Sequence, residues 1–329
     1  MTRSAAGPLA VVATLVVLWS APGFASASTI DTLTTLGLLA AAAQAWNVIG
    51  GFGGQFSLGH AAFIGTGAYG AALLLIHTGV PLPVAVLGAA VACATVAALV
   101  AIPLFRLSGA SFSIGSLAVA LALASWMTTW QATGASQGLN VPFESIPEPV
   151  VQYRWVVGVL VVATLVVWWL GRSAFGLRLM AVRDDEAAAA ALGVSGTRVK
   201  TGAFVLSAAL AGAVGALVAV RQISIEPTAM FGLGWTIDMV VMVVVGGIGT
   251  VAGPIVGAVA VYFLIERQLE EFEAISAAIT GLLVIVVIRF APDGLVGAGR
   301  TLLRRTIALR RGAGRPTGRV VGTQGAEAP

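Results

Sequence analysis

Apolar residues run along this chain in long blocks, not at helical or alternating spacing. Blocks of membrane-spanning length lie near 8–26, 32–50, 56–77, 81–104, 112–130, 153–170, 201–220, 235–250, 253–266 and 274–290. A hydrocarbon core of about 30 Å is crossed by about 20 apolar helical residues, so each block predicts a transmembrane helix. The eighth and ninth nearly fuse through Gly246, Gly247, Gly249, Gly253 and Pro254, and the ninth is short. The fold class expected is all-α: a polytopic transmembrane helical bundle of about ten spans. Residues 1–299 form the membrane domain, and residues 300–329 a basic, Gly-, Thr- and Ala-rich, partly disordered tail lying along anionic headgroups.

Composition changes the picture in one respect: it removes water as the main solvent. Hydrophobic residues are 58% and charged residues 10% of the chain, and mean hydropathy is +0.97. A soluble domain carries roughly 25% charged residues, so most of this surface must face lipid. The lone Cys93, in an apolar run, supports neither an internal disulfide nor a cysteine metal cluster.

Net charge is +4 with a pI of about 10.0, but the basic residues do not form a nucleic-acid face. They follow the positive-inside rule. With the N-terminus inside, the cytoplasmic side receives Arg3, Arg106, Arg172, Arg178, Arg183, Arg198, Lys200, Arg289 and the basic tail from Arg300 to Arg319. Arg154, Arg221 and Arg267 fall outside. Both ends are therefore expected in the cytoplasm. Arg3, the apolar stretch through Trp19 and Ala25-Ser26-Ala27 also fit a cleavable signal peptide; retention as a first span is the reading adopted, and cleavage would leave later orientations unchanged.

One large cytoplasmic loop, 171–200, carries chemistry. Asp184, Asp185 and Glu186 precede an alanine run, and Gly193 follows it. Carboxylates favour a helix start and Gly a helix stop, so a short capped helix outside the lipid is predicted. It is read either as a plain connector or as a docking helix for a cytoplasmic partner. No P-loop is present, since Lys200-Thr201 follows Val199, and no metal-ligand spacing is found. Any ATPase must be another chain.

Four segments carry a resemblance. Residues 172–219 (RSAFGLRLMAVRDDEAAAAALGVSGTRVK and onward), 50–74 (GGFGGQFSLGHAAFIGTGAYGAALL), 236–260 (TIDMVVMVVVGGIGTVAGPIVGAVA) and 289–297 (RFAPDGLVG) together resemble the M-type permease subunit of bacterial branched-chain amino acid ABC transporters, in family order. The chain departs at Asp238, where the family often has Glu. The resemblance implies a multi-pass protein of the bacterial cytoplasmic (inner) membrane, not itself an enzyme. Its partners would be an H-type permease, two ATP-binding cassette subunits that hold ATP and Mg, and an external substrate-binding protein. It also implies that Asp184, Asp185, Glu186, Ala190 and Gly193 form the coupling helix that docks on the ATPase.

Glycines and buried polar residues supply the remaining candidates. Gly51, Gly53 and Gly54 lead into Gln55-Phe56-Ser57-Leu58-Gly59-His60, and Gly65, Gly67 and Gly70 follow; Gly249, Gly253 and Gly257 form a second stripe. In membranes such glycines serve close helix packing, or mark helix breaks near a substrate route. Packing is the reading taken for Gly65, Gly249, Gly253 and Gly257. The translocation-pathway candidates are Asn47, Gln55, Ser57, Gly59, His60, Tyr69 and Asp238, being polar groups or breaks at membrane depth. A largely uncharged route suits a zwitterion with an apolar side chain, and equally urea or a short amide. An ion-coupled secondary transporter is the remaining alternative, with His60 and Asp238 as its available relay groups.

Overall fold

The computed structural model describes residues 19–263 and 294–298. Among these, seven helices are long and apolar enough to cross a membrane. They correspond one to one with the second to eighth expected spans. The expected spans 8–26 and 274–290 lie wholly or largely outside the described residues, as do Arg267 and the tail 300–329. The expected span 253–266 is described to residue 263.

The helices are α1 (Ala27–Asn47), α2 (Ala61–Thr78), α3 (Leu82–Leu104), α4 (Ala110–Thr129), α5 (Pro149–Leu170), α6 (Ala174–Asp184), α7 (Glu186–Ala191), α8 (Gly196–Gln222), α9 (Pro227–Met230), α10 (Leu233–Gly246) and α11 (Gly253–Val261). Start signals are local. Ser26 accepts the Thr29 N–H at α1, Ser173 the Gly176 N–H at α6, and Pro149 opens α5 where its missing N–H costs nothing.

α1 and α8 form the centre of the bundle, with α2 and α3 against α8 and α5 against α1. Small residues permit this approach. A methyl group added to Gly67 of α2 would run into the Gly212 carbonyl of α8, and one on Gly215 into the Ile64 carbonyl of α2. Lipid tails are as apolar as any side chain, so close van der Waals fit holds such helices together. α3 and α4 lie outside and expose Leu87, Val91, Leu99, Ile102, Ile114 and Leu121. At one end of the bundle β1 (Leu139–Asn140) pairs antiparallel with β2 (Ser224–Ile225). α6 and α7 cap the opposite end.

The loop 171–200 holds more helix than its sequence led us to expect. The predicted helix is α7, but α6 precedes it and buries Gly176, Leu179 and Val182 along one face. α8 also starts earlier, at Gly196. Its 27 residues span about 40 Å, longer than the roughly 30 Å of a hydrocarbon core, and its first turns carry Arg198 and Lys200.

Candidate functional site

The glycine-rich segment forms an irregular turn between two membrane helices. α1 unwinds into a π-helical turn over Val48–Phe52, and an irregular stretch runs to His60 before α2 begins. A second break separates α10 from α11, through Gly247 (φ 129°) and Gly249 (φ 69°). The two breaks touch: a methyl on Gly51 would sit 2.7 Å from the Gly249 nitrogen.

Backbone that leaves a helix in these turns needs hydrogen-bond partners, and here side chains supply many of them. Asn47 uses both ends of its amide: Nδ2 donates to the Thr250 carbonyl at 3.0 Å, and Oδ1 accepts the Gly249 N–H at 3.0 Å. Gln44 Nε2 donates to the Val251 carbonyl at 2.7 Å, and Trp46 Nε1 to the Ser57 carbonyl at 2.9 Å. Ser113 donates to the Phe56 carbonyl at 2.6 Å, Ser116 accepts the Leu58 N–H at 3.0 Å, and Thr236 accepts the Ala61 N–H at 2.9 Å. Arg183, from α6, donates through Nη1 to the Gly51 carbonyl at 3.1 Å.

His60 is fully buried, edge-on to Phe63 and Phe204. Its Nε2 lies 2.7 Å from Ser207 Oγ and its Nδ1 2.9 Å from Ser57 Oγ. The Ser207 hydroxyl already donates to the Ala45 carbonyl at 2.6 Å, so it accepts from Nε2–H, and Nδ1 accepts from Ser57. Both ring nitrogens are thus occupied, and the ring joins α8 to the break.

The expected pathway set divides in two. Asn47, Ser57, Gly59, His60 and Tyr69 are all buried within the chain; Tyr69 donates to the Ile225 carbonyl at 3.2 Å, which ties α2 to β2. Gln55 is half-buried, and Asp238 lines an open cavity of about 320 Å³ with Leu39, Ala229, Gly232, Gly234 and Trp235. Asp238 has no ion-pair partner among the described residues. Among the expected packing glycines, a methyl on Gly65 would meet the Phe231 ring, one on Gly253 the Gly247 carbonyl and one on Gly257 the Met242 carbonyl. Gly249 is also a turn residue.

At the capping end, Asp185 Oδ1 accepts the N–H groups of Ala187 and Ala188, both at 2.9 Å, and so starts α7. Gly193 (φ 80°) ends it. Glu186 pairs with Lys200 Nζ at 2.6 Å, and Asp184 with Arg183 at 2.8 Å. α7 buries Ala189 but leaves Ala187, Ala188, Ala190 and Ala191 exposed, and Leu192 beyond it is 85% exposed. Sequence reasoning missed Gln44, Arg183, Ser207 and Thr236 as contributors; their signal was a polar side chain near a glycine-rich stretch. Among the described residues no His, Cys, Asp and Glu cluster suits a metal ion.

Comparison with known proteins accords with this architecture. The family described as branched-chain amino acid transport system / permease component matches residues 28–288. The chain is 28% identical to the high-affinity branched-chain amino acid transport system permease protein LivM of Escherichia coli, over 93% of this chain and 77% of that protein. LivM of Salmonella typhimurium is also 28% identical, over 90% of this chain and 76% of that protein. A shorter likeness, 35% identity over 40% of each chain, links it to the autoinducer 2 import system permease protein LsrC of Klebsiella pneumoniae. No solved structure gives a significant match. With its membrane helices, both breaks and the capped helix α7 inside the matched residues, this chain belongs to the branched-chain amino acid transport system permease component family.

Proposed function

We propose that this chain is the LivM-type permease subunit of an ATP-driven importer for branched-chain amino acids, and that α7 is where the ATPase docks. The observation that carries the docking reading is α7 itself: a six-residue helix capped at both ends and exposing a bare alanine surface and Leu192. An exposed apolar patch held by a rigid frame is what a partner groove takes up. α7 leads into α8, and α8 packs against α2 and α3 along most of the bundle. A push on α7 is thereby delivered to packed helices, which move as rigid bodies instead of deforming.

The remaining partners follow from the same reading. An H-type permease completes the membrane pore, two ATP-binding cassette subunits hold ATP and Mg, and an external binding protein delivers the solute. The loop 171–200 and the tail 300–329 then face the cytoplasm. Asp238, with Trp235 and Leu39 in its cavity, is the residue of this chain best placed to meet a passing ammonium group.

The test is reconstitution of the chain with its co-purifying subunits in liposomes. ATP-dependent accumulation of labelled leucine, with the external binding protein present, is expected. Accumulation of urea in preference to leucine would move the substrate to short amides. Leucine uptake by the isolated chain on an ion gradient, without ATP, would overturn the reading.

A further inference from the structure

Arg183 stands between the docking helix and both backbone breaks. It is the penultimate residue of α6, two residues before the Asp185 that caps α7. Its guanidinium engages the Asp184 carboxylate through Nη2 at 2.8 Å and Nε at 2.9 Å. The same group donates through Nη1 to the Gly51 carbonyl at 3.1 Å, inside the π-helical turn. Its methylene stem lies over Gly54, where any side chain would strike Arg183 Cγ. Nη1 also comes within 3.6 Å of the place a Cβ on Gly249 would occupy, so it borders the second break as well.

This is more than a positive-inside arginine requires. A headgroup-facing arginine keeps its charged end in the interface, as Arg172 does while stacking on Trp168 at 4.3 Å. The Arg183 side chain reaches back from an exposed position and ends on a main-chain carbonyl. The carbonyl it holds belongs to a π turn, a helical form found mostly as single turns at functional sites. A planar fork holds a carboxylate on one edge and a carbonyl on another in a fixed geometry, whereas a lysine ammonium is a rotatable point charge that sets neither direction.

We infer that Arg183 is a positioning residue for coupling: it transmits displacement of α7 to the joined breaks at 48–60 and 247–252, which form the end of the route nearest the ATPase. When α7 is pushed, the end of α6 joined to it at Asp185 moves too; Asp184 holds the Arg183 guanidinium on that end, and Gly51 shifts with it, Gly249 in contact. This inference rests on the reading of α7 as the ATPase docking helix.

The experiment uses the complete importer with its external binding protein in liposomes, and measures leucine taken up per ATP hydrolysed. Arg183→Gln is expected to retain the ATPase subunits and hydrolysis while uptake per ATP falls about tenfold, within the usual range of coupling between sites. Asp184→Asn, at an exposed position that does not threaten folding, is expected to reproduce the loss in part, and Arg183→Lys to fail to rescue it. Unchanged uptake per ATP in Arg183→Gln and in Asp184→Asn overturns the inference. So does a parallel fall of hydrolysis and uptake, which would make Arg183 a structural residue. The docking reading is checked apart from this: if Leu192→Glu leaves ATPase retention intact, that reading fails first.

Discussion

The side-chain oxygen of Asn47 accepts the backbone N–H of Gly249 at 3.0 Å, across 202 residues of chain. The same amide donates to the Thr250 carbonyl, so one side chain pins two consecutive residues of the turn between α10 and α11. Asn47→Ala leaves the Gly249 N–H and the Thr250 carbonyl without their partner in a part-buried site. Each such group costs about 1–3 kcal/mol. A markedly lower midpoint of thermal unfolding in detergent is expected, with Gln44→Ala, which frees one carbonyl, losing less. Equal stability of Asn47→Ala and the parent would mean that the breaks are held elsewhere.

Two glycines one turn apart on α2 should behave differently. Gly67 faces the Gly212 backbone with no room for a methyl, whereas the nearest atom to a methyl on Gly70 is 3.9 Å away. Gly67→Ala is expected to push α2 off α8, at the cost of about 1–3 kcal/mol typical of overpacking. Gly70→Ala should be neutral or slightly stabilising, because alanine is the better helix former. The temperature at which half the protein stays soluble in mild detergent distinguishes them. Matching behaviour of the two variants would argue against the α2–α8 contact.

How much of this was visible in the sequence depends on the kind of signal. Long apolar blocks located the seven described spans, and the Asp185 start and Gly193 stop of α7 could be read directly because capping is local chemistry. α6 escaped notice because Arg178 and Arg183 interrupt a short apolar pattern that resembles neither a span nor a loop. The polar residues at membrane depth were harder. Asn47, Ser57 and His60 look the same in sequence whether they face a water-filled route or bind a broken backbone, since both need polar atoms away from lipid. Only long-range geometry, such as Asn47 meeting Gly249, separates the two.

α7 yields two variants with distinct readouts. Asp185→Ala removes the acceptor for Ala187 and Ala188 and should cost about 1 kcal/mol of local helix stability. Leu192→Glu places a charge on the exposed apolar patch without touching the bundle. Both variants should insert and extract normally, yet co-purify with clearly less ATPase, Leu192→Glu losing most. Glu186→Lys is a poorer probe, because it also sets a second cation beside Lys200, whose side chain is only 10% exposed.

His60 separates an ATP-driven permease from an ion-coupled carrier. Its ring bridges Ser57 and Ser207 through both nitrogens, a role that needs a donor and an acceptor but no titration. His60→Gln offers both and should keep a substantial part of leucine uptake. His60→Leu leaves the Ser57 hydroxyl without its acceptor and should lower stability. Complete loss of transport in a stably folded His60→Gln protein would favour a proton relay.

Asp238 carries the sharpest charge question. A carboxylate in a membrane span is costly unless it faces water, a partner or substrate, and Asp238 opens on a cavity with Leu39 and Trp235. That wall combines one anion with apolar surface, complementary to the α-ammonium group of an amino acid with an aliphatic side chain. Asp238→Asn keeps the size and hydrogen bonding but removes the charge, so leucine uptake at low concentration should fall while ATPase retention stays normal. Asp238→Glu keeps the charge in a cavity large enough for one more methylene and should retain most uptake. If Asn and Glu were equally active, the cavity would be serving packing against a neighbouring chain, and the cation-recognising part of the route would have to lie on the second permease.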